Sequence, residues 1–160
     1  MKKLSITLVV TAIIIFASSC KKTSSSNNTV SQWNFNGTNY QGTTTIATSG
    51  ELGTAIILEA NDVKDTVTNF VLVGFASKPV NNEKFSIITN GITPDSTSCT
   101  IITGSVDSTQ VPILLGQSAG TTDSVTVTIV NGKYHVSFTD VPMEEYKAIF
   151  TSLSGTLIEQ

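Results

Sequence analysis

Between Val125 and Phe138 (VTVTIVNGKYHVSF) apolar and polar residues alternate on either side of Asn131-Gly132. Asn-Gly is the preferred pair for a two-residue type I′ turn, because both residues adopt positive φ readily. With that turn in place the register follows. Val130 faces Lys133, Ile129 faces Tyr134, Val127 faces Val136, and Val125 faces Phe138. Thr128 opposite His135 and Thr126 opposite Ser137 take the other face. A slip of one residue would mix the two sets. The same device stands in Trp33–Gln41 (WNFNGTNYQ), where Asn36-Gly37 pairs Phe35 with Thr38 and Trp33 with Tyr40.

Further runs of Val, Ile and Thr, bounded by Gly, Asn, Asp and Ser, predict strands at 43–48, 54–60, 68–76, 84–88, 98–103, 111–115 and 152–158. The run 68–76 (TNFVLVGFA) is apolar on both faces and reads as central. Pro112 removes a backbone donor from 111–115 and predicts an edge. Only 142–150 (PMEEYKAIF) reads as helix: Pro142 opens it, Glu144 and Glu145 suit its first turn, and Met143, Tyr146 and Phe150 share a face. Nine or ten strands with one short helix near 142–150 predict an all-β domain, an antiparallel two-sheet sandwich of Ig-like or related type.

The N-terminus is patterned differently. Lys2 and Lys3 precede an apolar run of 13 residues, Leu4–Phe16, followed by Ala17-Ser18-Ser19. A helix spanning a bilayer needs about 20 apolar residues. The shorter run, with its basic flank and small residues, reads as a secretory signal peptide over 1–19. Residues 20–31 are polar and small and read as a flexible tether. Residues 32–160 have the size of one domain.

Ala17-Ser18-Ser19-Cys20 resembles the lipobox of bacterial lipoproteins, with Ala17 where that family favours Leu. The resemblance implies that Cys20 is acylated, that Ser19 is the last residue removed, and that the chain meets the membrane through its N-terminal lipid. Lys21 and Lys22 follow, and neither is Asp; by the same resemblance the protein is an outer-membrane lipoprotein of the cell envelope. The whole chain is also similar to small Bacteroidota lipoproteins of unassigned function. The shared pattern is the lipobox, a Ser/Asn tether, the Trp33–Tyr40 hairpin, the Gly132–Phe138 strand and Ser154-Gly155-Thr156-Leu157.

Charge narrows the function classes. The chain has 9 lysines, no arginine and 12 acidic residues. Residues 32–160 keep five lysines against all 12 acids, a net charge of −7. Nucleic-acid binding needs a basic face, and bidentate phosphate recognition needs arginine, so both are excluded. With Cys20 acylated, Cys99 has no partner and reads as a small apolar core residue. His135 is the sole histidine and reads as a solvated strand residue; no GxSxG elbow accompanies it. One histidine and one thiol build no typical zinc site, and no cofactor is implied.

Other candidates carry weaker signals. Glu59–Asp65 (EANDVKD) is oxygen-rich but lacks EF-hand spacing and reads as a solvated hairpin loop. Trp33, Phe35 and Tyr40 form either a stacking platform for a sugar or, more commonly, one end of the core. Asp65-Thr66-Val67, Asp95-Ser96-Thr97, Asp107-Ser108-Thr109 and Asp123-Ser124-Val125 resemble the O-glycosylation motif of exported Bacteroidota proteins. That resemblance would place glycans on Thr66, Ser96, Ser108 or Ser124, although Asp-Ser and Asp-Thr also shape turns.

The function expected from these residues is a lipid-anchored, non-enzymatic binding or accessory module with a glycan or envelope-protein partner. A structural or assembly subunit of a fimbria-like complex would need an exposed strand edge. A glycan hydrolase would need two carboxyl groups about 5–10 Å apart in a cleft.

Overall fold

The computed structural model describes residues 30–49, 55–89, 92–109, 112–119, 124–145 and 150–160. The expected signal peptide 1–19, Cys20 and most of the expected tether 20–31 lie outside them. The strands are β1 (Ser31–Phe35), β2 (Thr38–Ser49), β3 (Ala55–Lys64), β4 (Val67–Phe75), β5 (Glu83–Ile87), β6 (Ser98–Val106), β7 (Pro112–Ser118), β8 (Ser124–Val130), β9 (Lys133–Glu145) and β10 (Phe150–Ile158).

Both Asn-Gly hairpins form in the expected register. Asn36 and Gly37 have φ of 50° and 75°, and Asn131 and Gly132 have 53° and 79°, the positive values a type I′ turn requires. Trp33 pairs with Tyr40 and Phe35 with Thr38. Val127 pairs with Val136, Ile129 with Tyr134 and Val130 with Lys133. The β8–β9 pairing runs as far as Thr126 opposite Ser137, and on the other side of β8 Val125 lies opposite Phe85 of β5.

The expected two-sheet sandwich is not what these hairpins build. The strands run β10-β1-β2-β3-β4-β6-β5-β8-β9, and β9 pairs back to β10, closing a nine-stranded barrel. The closure is β10 lying between β9 and β1, with Leu153 against Val141 on one side and Phe35 on the other. Hairpin registers are identical in a sandwich and a barrel. Only the pairing of the first strand with the last distinguishes them, and no local pattern encodes it. β7 spans the gap between β6 and β9 beyond the ends of β5 and β8.

Two further expectations are corrected. Residues 142–145 are not helical: β9 runs straight through them, with Pro142 opposite Ser152 and Glu144 opposite Phe150. The partner strand, by burying Val141 and Met143 completely, overrides the helical spacing. The remainder of that segment, 146–149, lies outside the described residues. The edge expected at 111–115 is bounded: Pro112–Leu115 pair with β6 alone, but the strand continues into Gly116–Ser118, which also pair with β9; Pro112 sits at its first position, where a missing donor costs little. β4 is central as expected, held between β3 and β6.

The barrel interior is filled. Leu58, Val71, Val73, Ile101, Val125, Val127, Val136, Leu153 and Leu157 are fully enclosed in one cluster with Trp33, Phe35 and Phe85. Phe75 and Phe85 meet edge to face at 4.7 Å. On the outside, β4 and β6 carry a smaller cluster of Phe70, Ile102 and Val106, with Phe70 lying opposite Gly104. Elsewhere the outward positions of β1, β2 and β8 are mostly Gln, Asn, Thr and Ser, with Ala47 and the exposed Val130 among them. An apolar inside and a polar outside invert the pattern of outer-membrane barrels.

Candidate functional site

Alternation along β1 and β2 places every second residue on the outer face. Across three neighbouring strands these residues fall into two rows. Ser154, Asn34 and Asn39 form one, and Thr156, Gln32 and Gln41 form the other. Both rows line a groove of about 1340 Å³ on the outside of the barrel. Strand spacing sets neighbours within a row about 4.8 Å apart, and two residues of rise set the rows about 7 Å apart.

One row is fixed; in the other, the Thr156 hydroxyl pairs with that of Ser137 at 3.4 Å and the two glutamine side chains are open. Asn34 Nδ2 donates to Asn39 Oδ1 at 2.7 Å, and Gly37 N donates to Asn34 Oδ1 at 3.1 Å, so the turn itself orients Asn34. Ser154 Oγ accepts from Asp140 N at 2.8 Å. Gln32 and Gln41 are exposed and hold no hydrogen bond to another described residue. Their amides offer both donors and acceptors to a ligand.

The groove exists because β2 and β3 part company. Their pairing begins at Thr43 opposite Asn61, leaving Thr38–Gly42 of β2 and Asp62–Lys64 of β3 beyond it. Gly42 marks the divergence: a Cβ there would overlap the Asn61 carbonyl group. Asp62 and Lys64 border the groove and pair with each other at 3.5 Å, so its one carboxylate is neutralised by its one ammonium.

The chain enters β1 at the groove's end, where Val30 and Ile158 contribute to the lining. Ser31 is fully buried there. Its hydroxyl pairs with that of Thr44 and accepts from Ile158 N at 2.8 Å. This locks the first strand between β2 and β10, with Val30 beside the groove.

The aromatic trio is divided by the fold. Trp33 and Phe35 are each only 3% exposed and belong to the core. Tyr40 is half-buried and stacks on Trp33 at 5.5 Å. Trp33 and Tyr40 border the groove, whereas Phe35 reaches across the barrel toward Gly116. An open aromatic platform made of all three is therefore not formed.

The four hydroxyls of the Asp-Ser/Thr motifs stay apart from the groove and from one another, and all are exposed. Thr66, Ser96 and Ser108 occupy turns, and Ser124 begins β8. The aspartates shape the turns. Asp95 Oδ1 accepts from Thr97 N and Ser98 Oγ at 2.8 Å and from Thr97 Oγ1 at 2.9 Å. These bonds, the Thr97 amide first, hold the Asp95 carboxyl below its ordinary range. Asp107 accepts from Thr109 in the same way.

Two buried groups have shifted acidities. Cys99 is fully enclosed, and burial pushes its thiol up to about 12. Glu59 lies on the outer face opposite Leu72, and burial raises its pKa while the amide of Asn61, 2.9 Å away, partly offsets this. Glu59–Lys64, expected as a loop, continue β3. No group of His, Cys, Asp and Glu among the described residues could hold a metal ion. His135 sits on the outer face between Thr128 and Ile158.

The groove itself escaped sequence reasoning. Its one signal is the set of amides in QWN and NYQ, Gln32, Asn34, Asn39 and Gln41, to which the alternating pattern alone gives no shape. No family model matches this chain, and no curated protein or solved structure matches it either.

Proposed function

We propose that this protein is a lipid-anchored, non-enzymatic binding module of the cell envelope, attached to the outer membrane through Cys20, and that its ligand occupies the outer groove of the barrel. The observation that carries the reading is the pair of amide and hydroxyl rows on Ser154–Asn34–Asn39 and Thr156–Gln32–Gln41. Such a surface favours recognition over reaction, since it presents no imidazole, no thiol and no pair of free carboxylates, and Asp140, which accepts from Ser154 Oγ at 3.2 Å, stands outside its lining. Its sole acid, Asp62, is tied to Lys64.

The assembly-subunit reading is less favoured, because every named strand pairs on both sides along part of its length and the unpaired stretches are short, such as Thr38–Gly42 of β2 where it borders the groove. Intact mass and hydrogen exchange test the proposal together. The mature chain should begin at Cys20 and carry acyl mass. With solubilised envelope material added, protection should concentrate in Ser31–Phe35 and Thr38–Ser49. An unmodified Cys20 contradicts the anchor, and protection confined to other strands contradicts the groove.

A further inference from the structure

We infer that the groove takes a neutral oligosaccharide; the inference rests on the proposed role of the groove as the binding site. The first ground is the chemistry of the rows. Six side chains from three strands, Ser154, Asn34, Asn39, Thr156, Gln32 and Gln41, are all uncharged, and all are amides or hydroxyls. Sugar hydroxyls each donate and accept, and primary amides are the side chains that do both from fixed, separate atoms. The second ground is spacing. A grid of about 4.8 by 7 Å matches the scale on which successive pyranose rings present hydroxyls.

The third ground is charge. Asp62 and Lys64 cancel within the groove, while residues 32–160 carry a net −7. An acidic glycan would meet repulsion from the domain with no arginine to receive it. A cationic ligand would find no unpaired carboxylate in the lining. Tyr40, half-buried and stacked on the core residue Trp33, borders the groove and supplies an apolar margin for one sugar edge. The groove's 1340 Å³ is enough for several rings, so the ligand is an oligosaccharide rather than a monosaccharide.

Calorimetric titration of the mature protein with cellohexaose, xylohexaose and mannohexaose tests this, with hexagalacturonate and a neutral extended decapeptide as contrasts. At least one neutral hexasaccharide should bind with Kd of about 0.1–1 mM. Gln32→Ala/Gln41→Ala should weaken that binding about tenfold. Both positions are exposed and free of internal hydrogen bonds, so an unchanged melting temperature should accompany the loss. Neutral sugars that bind with no effect of the double substitution overturn the inference. Binding of hexagalacturonate or the decapeptide alone, sensitive to the same substitution, overturns the ligand class and leaves the groove standing. Binding by none of the probes overturns the class, and if the envelope material of the preceding experiment also gives no groove protection, the groove falls with it.

Discussion

Substituting Gly42 by Ala should be among the most damaging single-methyl changes in the protein. The added Cβ would overlap the carbonyl oxygen and carbon of Asn61, which are backbone atoms and cannot swing aside. Relief requires β2 or β3 to move by more than about an ångström, at the point where their pairing starts at Thr43 opposite Asn61. Gly155 gives a milder comparison, since a Cβ there meets Gln32 O and Trp33 Cβ at 2.8 Å and needs a few tenths of an ångström. Gly37 gives the mildest. Its φ of +75° disfavours alanine, but nothing lies within 4 Å. Overpacking costs about 1–3 kcal/mol. Losing one or two ladder hydrogen bonds adds about 1 kcal/mol each. Gly42→Ala should therefore cost about 3–4 kcal/mol, and Gly37→Ala about 1–2 kcal/mol for its left-handed backbone alone. For a domain of this size that lowers Tm by about 10–15 °C and about 4–7 °C respectively. Thermal melts followed by Trp33, the sole tryptophan, would show it. A Gly42→Ala melt within about 2 °C of wild type, or above that of Gly37→Ala, would refute the geometry assigned to the β2–β3 divergence.

Other consequences can be checked separately. Glu59 has a folded pKa above its unfolded value, so its protonated form is favoured by folding; that contribution is present below about pH 4.5 and is lost as pH rises through the raised value. Glu59→Gln keeps the acceptor for Asn61, so it should raise Tm at pH 7 and converge with wild type near pH 4; a lower Tm at pH 7 would contradict the assigned cause. Cys99 should be silent to thiol reagents at pH 8 in the native protein, given full burial and a thiol pushed up to about 12. Denaturation should then reveal one thiol per acylated chain, whereas two would show that Cys20 is unmodified. Trp33→Ala should cost about 3–5 kcal/mol in urea unfolding, as core aromatics do. A stable Trp33→Ala protein that loses ligand would instead return Trp33 to the binding surface.

Local physics was legible in the sequence wherever it was sufficient. Asn36-Gly37 and Asn131-Gly132 dictate turn type and thereby register, so the pairing of Trp33 with Tyr40 and of Val127 with Val136 could be written down in advance. Closure could not. It depends on β10 choosing β1 as well as β9, a contact between residues more than a hundred positions apart. The same strand also erased the expected helix: Met143 and Glu144 carry helical spacing, yet pairing with Thr151 and Phe150 outweighs it. The groove was hidden for a related reason. Alternation puts Gln32, Asn34, Asn39 and Gln41 on one polar face of the hairpin, but only the divergence at Gly42 makes that face concave.

The most direct measurement of the central claim is a ¹⁵N–¹H spectrum of the side-chain amides during titration with the tightest-binding neutral hexasaccharide. Gln32, Asn34, Asn39 and Gln41 each contribute a resolved NH₂ pair, and Asn81, bonded to Ile129 N on another part of the barrel, serves as an internal control. The account predicts saturable shifts in those four groups while Asn81 stays in place. Shifts at Asn81 with the four groove amides unmoved would contradict it.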